Sequence, residues 1–417
     1  MERQYIVSER AHFMCPNMHF GILIGISAAF NLEKVCFSLE EMSKAHPFLR
    51  SVIKYDEDST RLFYDIRDHS EITIYGGRPI QSIWSDYKAI GNQAWNVFEK
   101  GLLKVFLYPL EEGFKILFVA HHLLGDGRSL LELAGEFADL YGEGKEPTYV
   151  EERLIRDIED FPPHSQLSGI SKLLVNRLNK QWKKEERKVD YADYAKFVSN
   201  FAKENPVAYA TCTMDYRDVL QMKEQCKAYG LSFNDYLMAK IFRSMKTQKI
   251  IIAVDIRSQL KCYRKGALGN YATAMGIVCK GKSKDVLEKA KEVHKQVMLH
   301  RKNMQKWMLV LACYLEMDRD LIDAVAISTL GDFSSKAANF VGTNMFGYKK
   351  REGISITNLG SVDNLHMSDA LFIPPASPAN IQTIGALTVN NHLQLCSSYY
   401  EKAISAEEVE TQLSLLL

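Results

Sequence analysis

A short stretch near residue 120 constrains this chain most, because it predicts a strand, a tight turn and a helix in direct succession. The run from Phe114 to Ala120 is mostly apolar and partly β-branched, which is typical of a buried strand. HHLLGDG follows at residues 121–127, and its two glycines supply the permissive backbone that a tight turn needs. Asp126 is then placed to cap a helix with a periodic apolar face. The pattern delivers two histidines to the end of a rigid strand.

An imidazole at the end of a strand is well placed to act as a general base, because its neutral form accepts a proton near pH 7. A hydrogen-bonded core histidine and a metal ligand are the alternative interpretations. The spacing HHxxxDG is rare by chance, which favours catalysis over the core interpretation. No HExxH, cysteine pair or further His/Asp cluster in the sequence offers a third ligand. The sequence therefore predicts a catalytic histidine and no metal.

HHLLGDG resembles the HHxxxDG signature of the CoA-dependent acyltransferase superfamily. That superfamily includes chloramphenicol acetyltransferase, the condensation domains of non-ribosomal peptide synthetases, alcohol acetyltransferases and wax ester synthases. Its second motif histidine is the base and its aspartate is structural. The resemblance implies that His122 is the base, and that His121, Asp126 and Gly127 shape the site around it.

Arg257 follows a β-branched run at 249–254, where an arginine of the superfamily pairs with the motif aspartate. The resemblance therefore implies a bond between Arg257 and Asp126, although a solvated charge at a strand end is the alternative. Such a pair would hold the loop more than it would add net stability. The sequence Gly269-Asn270 that follows is similar to an element of condensation domains.

The run ISITNLG at 354–360 resembles the Ser/Thr-Asn-x-Gly element of dihydrolipoyl acyltransferases, whose hydroxyl stabilises the oxyanion of the intermediate. The resemblance implies this role for Thr357, and an ordinary β-branched strand residue is the alternative. Asn358, in the same element, is a further candidate. Asn234 is another, because its segment resembles the start of a helix in wax ester synthases. An ordinary N-cap cluster would explain that segment equally well.

The chain has 417 residues, enough for two domains with separate cores. We expect a first lobe at 1–165 that carries HHxxxDG, a connecting helical segment at 166–205 and a second lobe at 206–417. The resemblance implies an α/β fold of two chloramphenicol-acetyltransferase-like lobes. Each would hold a mixed β-sheet with flanking helices, and an active-site tunnel would lie between them.

Finer patterns give three local expectations. Asp56-Glu57-Asp58 predicts a hairpin turn, and residues 79–97 predict a helix. The polar stretch at 180–196 mixes basic and acidic residues, which favours a solvated helix face over a phosphate-binding patch.

Composition excludes several classes of protein. Hydrophobic residues make up 47% and charged residues 25% of the chain, which is ordinary for a globular protein. The net charge of +1 argues against a nucleic-acid partner. The eight cysteines are scattered without a CxxC, which indicates reduced core thiols and a cytoplasmic location. No apolar run reaches the roughly 20 residues that a transmembrane segment needs.

The resemblance implies transfer of an acyl group from an acyl-CoA thioester to a small-molecule alcohol or amine, with both substrates bound together and no acyl-enzyme. No cofactor is expected beyond the acyl-CoA or phosphopantetheine thioester that serves as the donor substrate. Two alternatives stay open. In the first, the chain is a free-standing condensation enzyme whose partner is an acyl or peptidyl carrier protein. In the second, it is a non-catalytic binding homologue.

Overall fold

A computed structural model describes residues 3–56, 61–281 and 285–416 of the chain. The predicted hairpin turn at 56–58 falls largely outside these residues. The strands are β1 (His19–Ile26), β2 (Ser51–Tyr55), β3 (Leu62–Ile66), β4 (Thr73–Tyr75), β5 (Leu103–Pro109), β6 (Phe114–His121), β7 (Val207–Met214), β8 (Lys249–Asp255), β9 (Ala272–Val278), β10 (Gly353–Val362), β11 (Met367–Ile373), β12 (Asn380–Val389) and β13 (His392–Tyr400).

Helices flank these strands throughout the described residues. They are α1 (Arg10–Phe13), α2 (Leu32–Ala45), α3 (Ile83–Gly91), α4 (Gly127–Glu143), α5 (Gly169–Glu185), α6 (Tyr191–Glu204), α7 (Tyr216–Ala228), α8 (Phe233–Ser244), α9 (Val286–Arg301), α10 (Met304–Trp307), α11 (Leu309–Glu316), α12 (Arg319–Leu330), α13 (Lys336–Asn344) and α14 (Ala406–Ser414). None of these helices combines the length and apolar character needed to span a bilayer.

The strands form two large mixed sheets. The first has the order β11-β1-β6-β5-β4 and the second the order β7-β13-β12-β10-β8-β9, while β2 and β3 form a separate hairpin. In the first sheet β1 is buried along its length and pairs antiparallel with β6, so that His19 lies opposite His121. In the second sheet β10 pairs parallel with both β12 and β8. The α/β fold with flanking helices that the sequence predicts is therefore present.

One strand departs from the predicted division of the chain at 206–417. β11 comes late in the sequence, yet it pairs antiparallel with β1 in the first sheet. It covers an edge of β1 that would otherwise present unpaired backbone groups, which explains why this distant segment is recruited. Apolar side chains of α12 and α13 also join the core of the first sheet, whereas α7, α8 and α14 pack on the second.

Two local expectations also need correction. The helix predicted at 79–97 is shorter: α3 ends at Gly91, and beyond it Trp95 turns inward and donates its indole N–H to the carbonyl of Gly101 at 2.9 Å. All eight cysteines lie in the described residues as free thiols, but Cys36 is exposed rather than in the core. It lies on α2 beside the side chains that this helix buries, with its own side chain toward solvent.

Candidate active site

The turn after β6 is held by bonds to its own backbone groups. Asp126 caps α4 by accepting from the backbone N–H of Ser129 at 3.0 Å. His121 is buried, and its Nδ1 accepts from the backbone N–H of Leu123 at 3.1 Å. Tyr64 donates its hydroxyl to the carbonyl of Leu123 at 2.7 Å. These bonds fix the direction in which His122 leaves the strand.

A segment of the second half, residues 269–271, lies directly against this turn. The backbone N–H of Asp126 donates to the carbonyl of Gly269 at 3.1 Å, and Tyr271 returns its own N–H to Asp126 Oδ2 at 2.9 Å. Gly125 makes this approach feasible, because a Cβ there would lie 2.9 Å from the backbone nitrogen of Gly269. Gly127 is similarly confined, since its Cβ would lie 2.9 Å from Leu359 Cδ2. A larger residue at position 125 would push the 269–271 segment away from the turn, whereas at position 127 the leucine side chain would have to move.

The pair between Arg257 and Asp126 is present. Arg257 Nη2 donates to Asp126 Oδ1 at 2.6 Å and to the hydroxyl of Ser129 at 2.9 Å, and both charged side chains are buried. Burial opposes the charge of Arg257, but the carboxylate of Asp126 outweighs it and raises the pKa of Arg257 above its ordinary value. The pair therefore stays ionised and joins the end of β8 to the start of α4.

Asn270 is the partner of His122, and it determines which ring nitrogen is free. Its side-chain N–H donates to the carbonyl of His122 at 2.7 Å, so its oxygen faces His122 Nδ1, also at 2.7 Å. An amide oxygen only accepts, and therefore Nδ1 must carry the proton in the neutral ring. That tautomer leaves Nε2 with a free lone pair, as a general base requires.

Electrostatics keep the ring of His122 neutral. Burial lowers the pKa of His122, and the hydrogen bond to Asn270 and the charge of Asp126 offset this only in part. Phe20 packs edge to face against the ring of His122, with the two ring centroids 4.9 Å apart. At neutral pH the imidazole is thus ready to accept a proton.

His12 lies flat on the ring of His122, a contact that no sequence pattern predicted. The two ring centroids are 4.1 Å apart with 12° between the planes. Burial, followed by the proximity of His122 and His121, holds the pKa of His12 well below its ordinary value. The short helix α1 that carries His12 is anchored by Arg10, whose Nε donates to Asp323 Oδ1 at 2.7 Å in a buried ion pair. Protonation of either imidazole opposes protonation of the other.

The cavity beside His122 is lined by both halves of the chain and has a volume of about 220 Å³. Thr357 of β10 lines it, and its hydroxyl forms no hydrogen bond with another described residue. Asn358 also lines it, accepting from the N–H of Gly360 at 2.8 Å. Asn234 lies behind Asn358, within 3.4 Å of its side-chain nitrogen, and does not line the cavity.

Of the residues that the sequence singled out, His122, Asp126, Gly127, Arg257, Thr357 and Asn358 line this one cavity. The sequence missed Asn270 and His12. Asn270 could have been found, because the Gly269-Asn270 element resembles one of condensation domains. No role was assigned to its side-chain amide. Within the described ranges, no group of three His, Cys, Asp or Glu side chains is arranged to hold a metal ion.

The two buried histidines His19 and His121 lead to a prediction about acid stability. Burial lowers the pKa of each to about 3, whereas a histidine of the unfolded chain titrates near about 6.5. As the pH falls below about 6.5, these histidines therefore become protonated in the unfolded chain but not in the native state. The free energy of unfolding decreases as a result. Between pH 7 and pH 5 we expect His121 alone to account for a loss of about 2 kcal/mol.

The measurement is urea unfolding of wild type and His121→Asn at both pH values. Asparagine keeps an acceptor for the N–H of Leu123 but does not titrate, so the variant should lose about 2 kcal/mol less on acidification. Equal losses in the two proteins would contradict a buried, neutral His121.

Comparison with known proteins places this geometry in a recognised fold. No family model matches the sequence, and no curated protein matches it. Among solved structures, the TRI3 trichothecene 15-O-acetyltransferase from Fusarium sporotrichioides is similar with a TM-score of 0.65 and 12% identity, over 99% of this chain and 93% of that one.

Two synthetase domains are similar as well. The epimerization domain from the third module of tyrocidine synthetase B has a TM-score of 0.60 at 12% identity, over 96% of this chain and 90% of that one. The first condensation domain of the CDA synthetase has a TM-score of 0.61 at 10% identity, over 100% of this chain and 94% of that one. The predicted fold class is thereby confirmed, and so is the resemblance, at the level of the fold.

Proposed function

We propose that this chain, which has the two-lobed fold of condensation domains and an acetyltransferase, moves an acyl group from an acyl-CoA thioester to a hydroxyl or amine acceptor. The observation that carries the proposal is the state of His122. Its Nδ1 is held by Asn270, which leaves Nε2 as the ring nitrogen with the lone pair, and the ring lines a cavity to which both halves of the chain contribute. A neutral base in such a place suits deprotonation of a bound nucleophile.

In the proposed reaction, Nε2 of His122 takes the proton of the acceptor O–H or N–H as that oxygen or nitrogen attacks the thioester carbonyl. The new C–O or C–N bond gives a tetrahedral oxyanion, to which the free hydroxyl of Thr357 donates. Collapse of the intermediate breaks the C–S bond, and the imidazolium returns its proton to the departing thiolate. The products are an ester or amide and a free thiol, so no group stays on the protein.

Asp126 has a different role from the acid of a catalytic triad. Its Oδ1 faces Arg257 and the N–H of Ser129, and its Oδ2 accepts from Tyr271. The ring nitrogen that a triad acid would hold is instead bonded to the neutral amide of Asn270. A neutral amide raises the pKa of the ring less than a carboxylate would, so the imidazole stays neutral, and therefore basic, near neutral pH.

The experiment is thiol release from a panel of acyl-CoAs, each with pools of alcohols and amines. The same acyl groups are offered in parallel on the phosphopantetheine arm of a carrier protein. Release that needs donor and acceptor together supports acyl transfer, and the better donor distinguishes CoA from a carrier. If a protein with an intact melting transition released no thiol from any donor, the result would favour the non-catalytic homologue.

Substitution of Thr357 tests whether its hydroxyl stabilises the oxyanion. Replacing Thr357 by valine keeps the branched shape but removes the donor, and we expect kcat to fall by about 10²–10³-fold with little change in KM. Thr357→Ser should recover most of the loss, because the hydroxyl returns. A valine variant with unchanged kcat would show that the oxyanion is stabilised elsewhere.

A further inference from the structure

Helix α5 presents an apolar surface that nothing in the described chain covers. Its inner face buries Val175, Leu178 and Trp182. On a neighbouring side of the helix Ile170 is 83% exposed, Leu173 71% and Leu174 38%. These three residues, here called the α5 face, follow the spacing of one side of a helix. Large aliphatic side chains left in water at adjacent positions indicate a contact surface.

The α5 face lies within a basic region of the molecule. Residues 161–184 contain five Lys or Arg and no Asp or Glu, and residues 293–315 contain four and none. The two segments touch, since the side-chain nitrogen of Gln305 donates to the carbonyl of Gln166 at 2.8 Å. Together the two segments carry nine positive charges and no negative one.

The cations of this region are available to a partner. Every one is exposed: Lys172, Arg177, Lys180, Lys183, Lys184, Lys295, Arg301, Lys302 and Lys306. Lys172 lies 3.6 Å from Glu316, and the other eight form no ion pair with a described residue. The sequence favoured a solvated helix face at 180–196, and the acidic residues that supported it begin only at Glu185.

We propose that the α5 face binds the surface of an anionic lipid bilayer. Isoleucine and leucine side chains on one side of a helix, flanked by lysine and arginine, can enter the headgroup boundary while the cations contact lipid phosphates. A bilayer surface can also engage both basic segments at once, because its charge extends in two dimensions. The helix would lie on the membrane without crossing it. This inference does not depend on the proposed acyl transfer.

The test is flotation of the full chain with vesicles of phosphatidylcholine alone or with one third phosphatidylglycerol. We expect binding to the anionic vesicles only, and release at high salt. Lys180→Gln with Lys184→Gln should weaken binding by about thirty-fold. Ile170→Ser with Leu173→Ser should weaken it to a similar degree, because the apolar contribution is lost.

Leu365→Ser is the matched control, since Leu365 is 99% exposed and lies two residues from Asp363 in an acidic segment. It should bind like wild type, and all variants should keep the wild-type melting temperature. Equal binding to both kinds of vesicle, or full binding by the α5 variants, would overturn the proposal. So would lipid-free dimerisation that Leu173→Ser abolishes, because a second copy of the chain would then cover the face.

Discussion

Replacing His122 by alanine is expected to slow thiol release by about 10²–10⁴-fold, because the variant lacks the group that accepts the proton of the nucleophile. The loss should appear in kcat, while binding of the acyl donor should persist, since His122 contributes one of many surfaces of the cavity. The measurement is steady-state thiol release with the best donor and acceptor. The thermal shift on adding donor alone reports binding in the same variant.

His392→Ala is the matched control for this experiment. His392 is exposed at the start of β13, so its loss removes an imidazole without touching the cavity. It should leave turnover unchanged. Turnover by His122→Ala within a few-fold of wild type would contradict general-base catalysis by this ring, and His12, stacked on it, would then be the next imidazole to replace.

The sequence could predict the centre of the site because one short segment encodes it. HHLLGDG contains its own strand end, turn and helix cap, so local rules suffice to place His121, His122 and Asp126. Arg257 could be added to the predicted site because it follows a strand that the resemblance identified. The bond between Arg257 and Asp126 spans the two halves, and only the resemblance suggested that these residues would meet.

His12 and β11 show where sequence reasoning fails. The helix of His12 has four residues and no repeat of apolar positions, so no pattern connects it with His122. Its place depends on the buried pair between Arg10 and Asp323, which are 313 positions apart in the sequence. β11 likewise gains its stability from the free edge of β1. Contacts of this kind are set by tertiary packing, which local propensity does not report.

Replacing Arg257 by methionine is expected to lower the free energy of unfolding by about 3–5 kcal/mol, because the carboxylate of Asp126 would stay buried without its cation. Arg128→Met is the matched control. Arg128 also lines the cavity, but its pair with Glu132 is about one third exposed on each side, and its Nη1 donates to the carbonyl of Leu359 at 2.9 Å. Breaking these two partly exposed contacts should cost about 1–2 kcal/mol, less than the loss at Arg257.

A second substitution separates the unpaired charge from lost packing. Asp126→Asn combined with Arg257→Met should recover much of the stability, because a neutral amide oxygen can still accept from the N–H of Ser129 or of Tyr271. Urea unfolding of wild type, Arg257→Met, Arg128→Met and the double variant measures the free energy of unfolding of each protein. If the double variant is as unstable as Arg257→Met, the arginine acts through packing against Tyr263 and Tyr271, over which its guanidinium lies. If Arg257→Met matches wild type, the pair does not hold the two halves together, and the bonds of Gly269 and Asn270 to the motif turn must suffice.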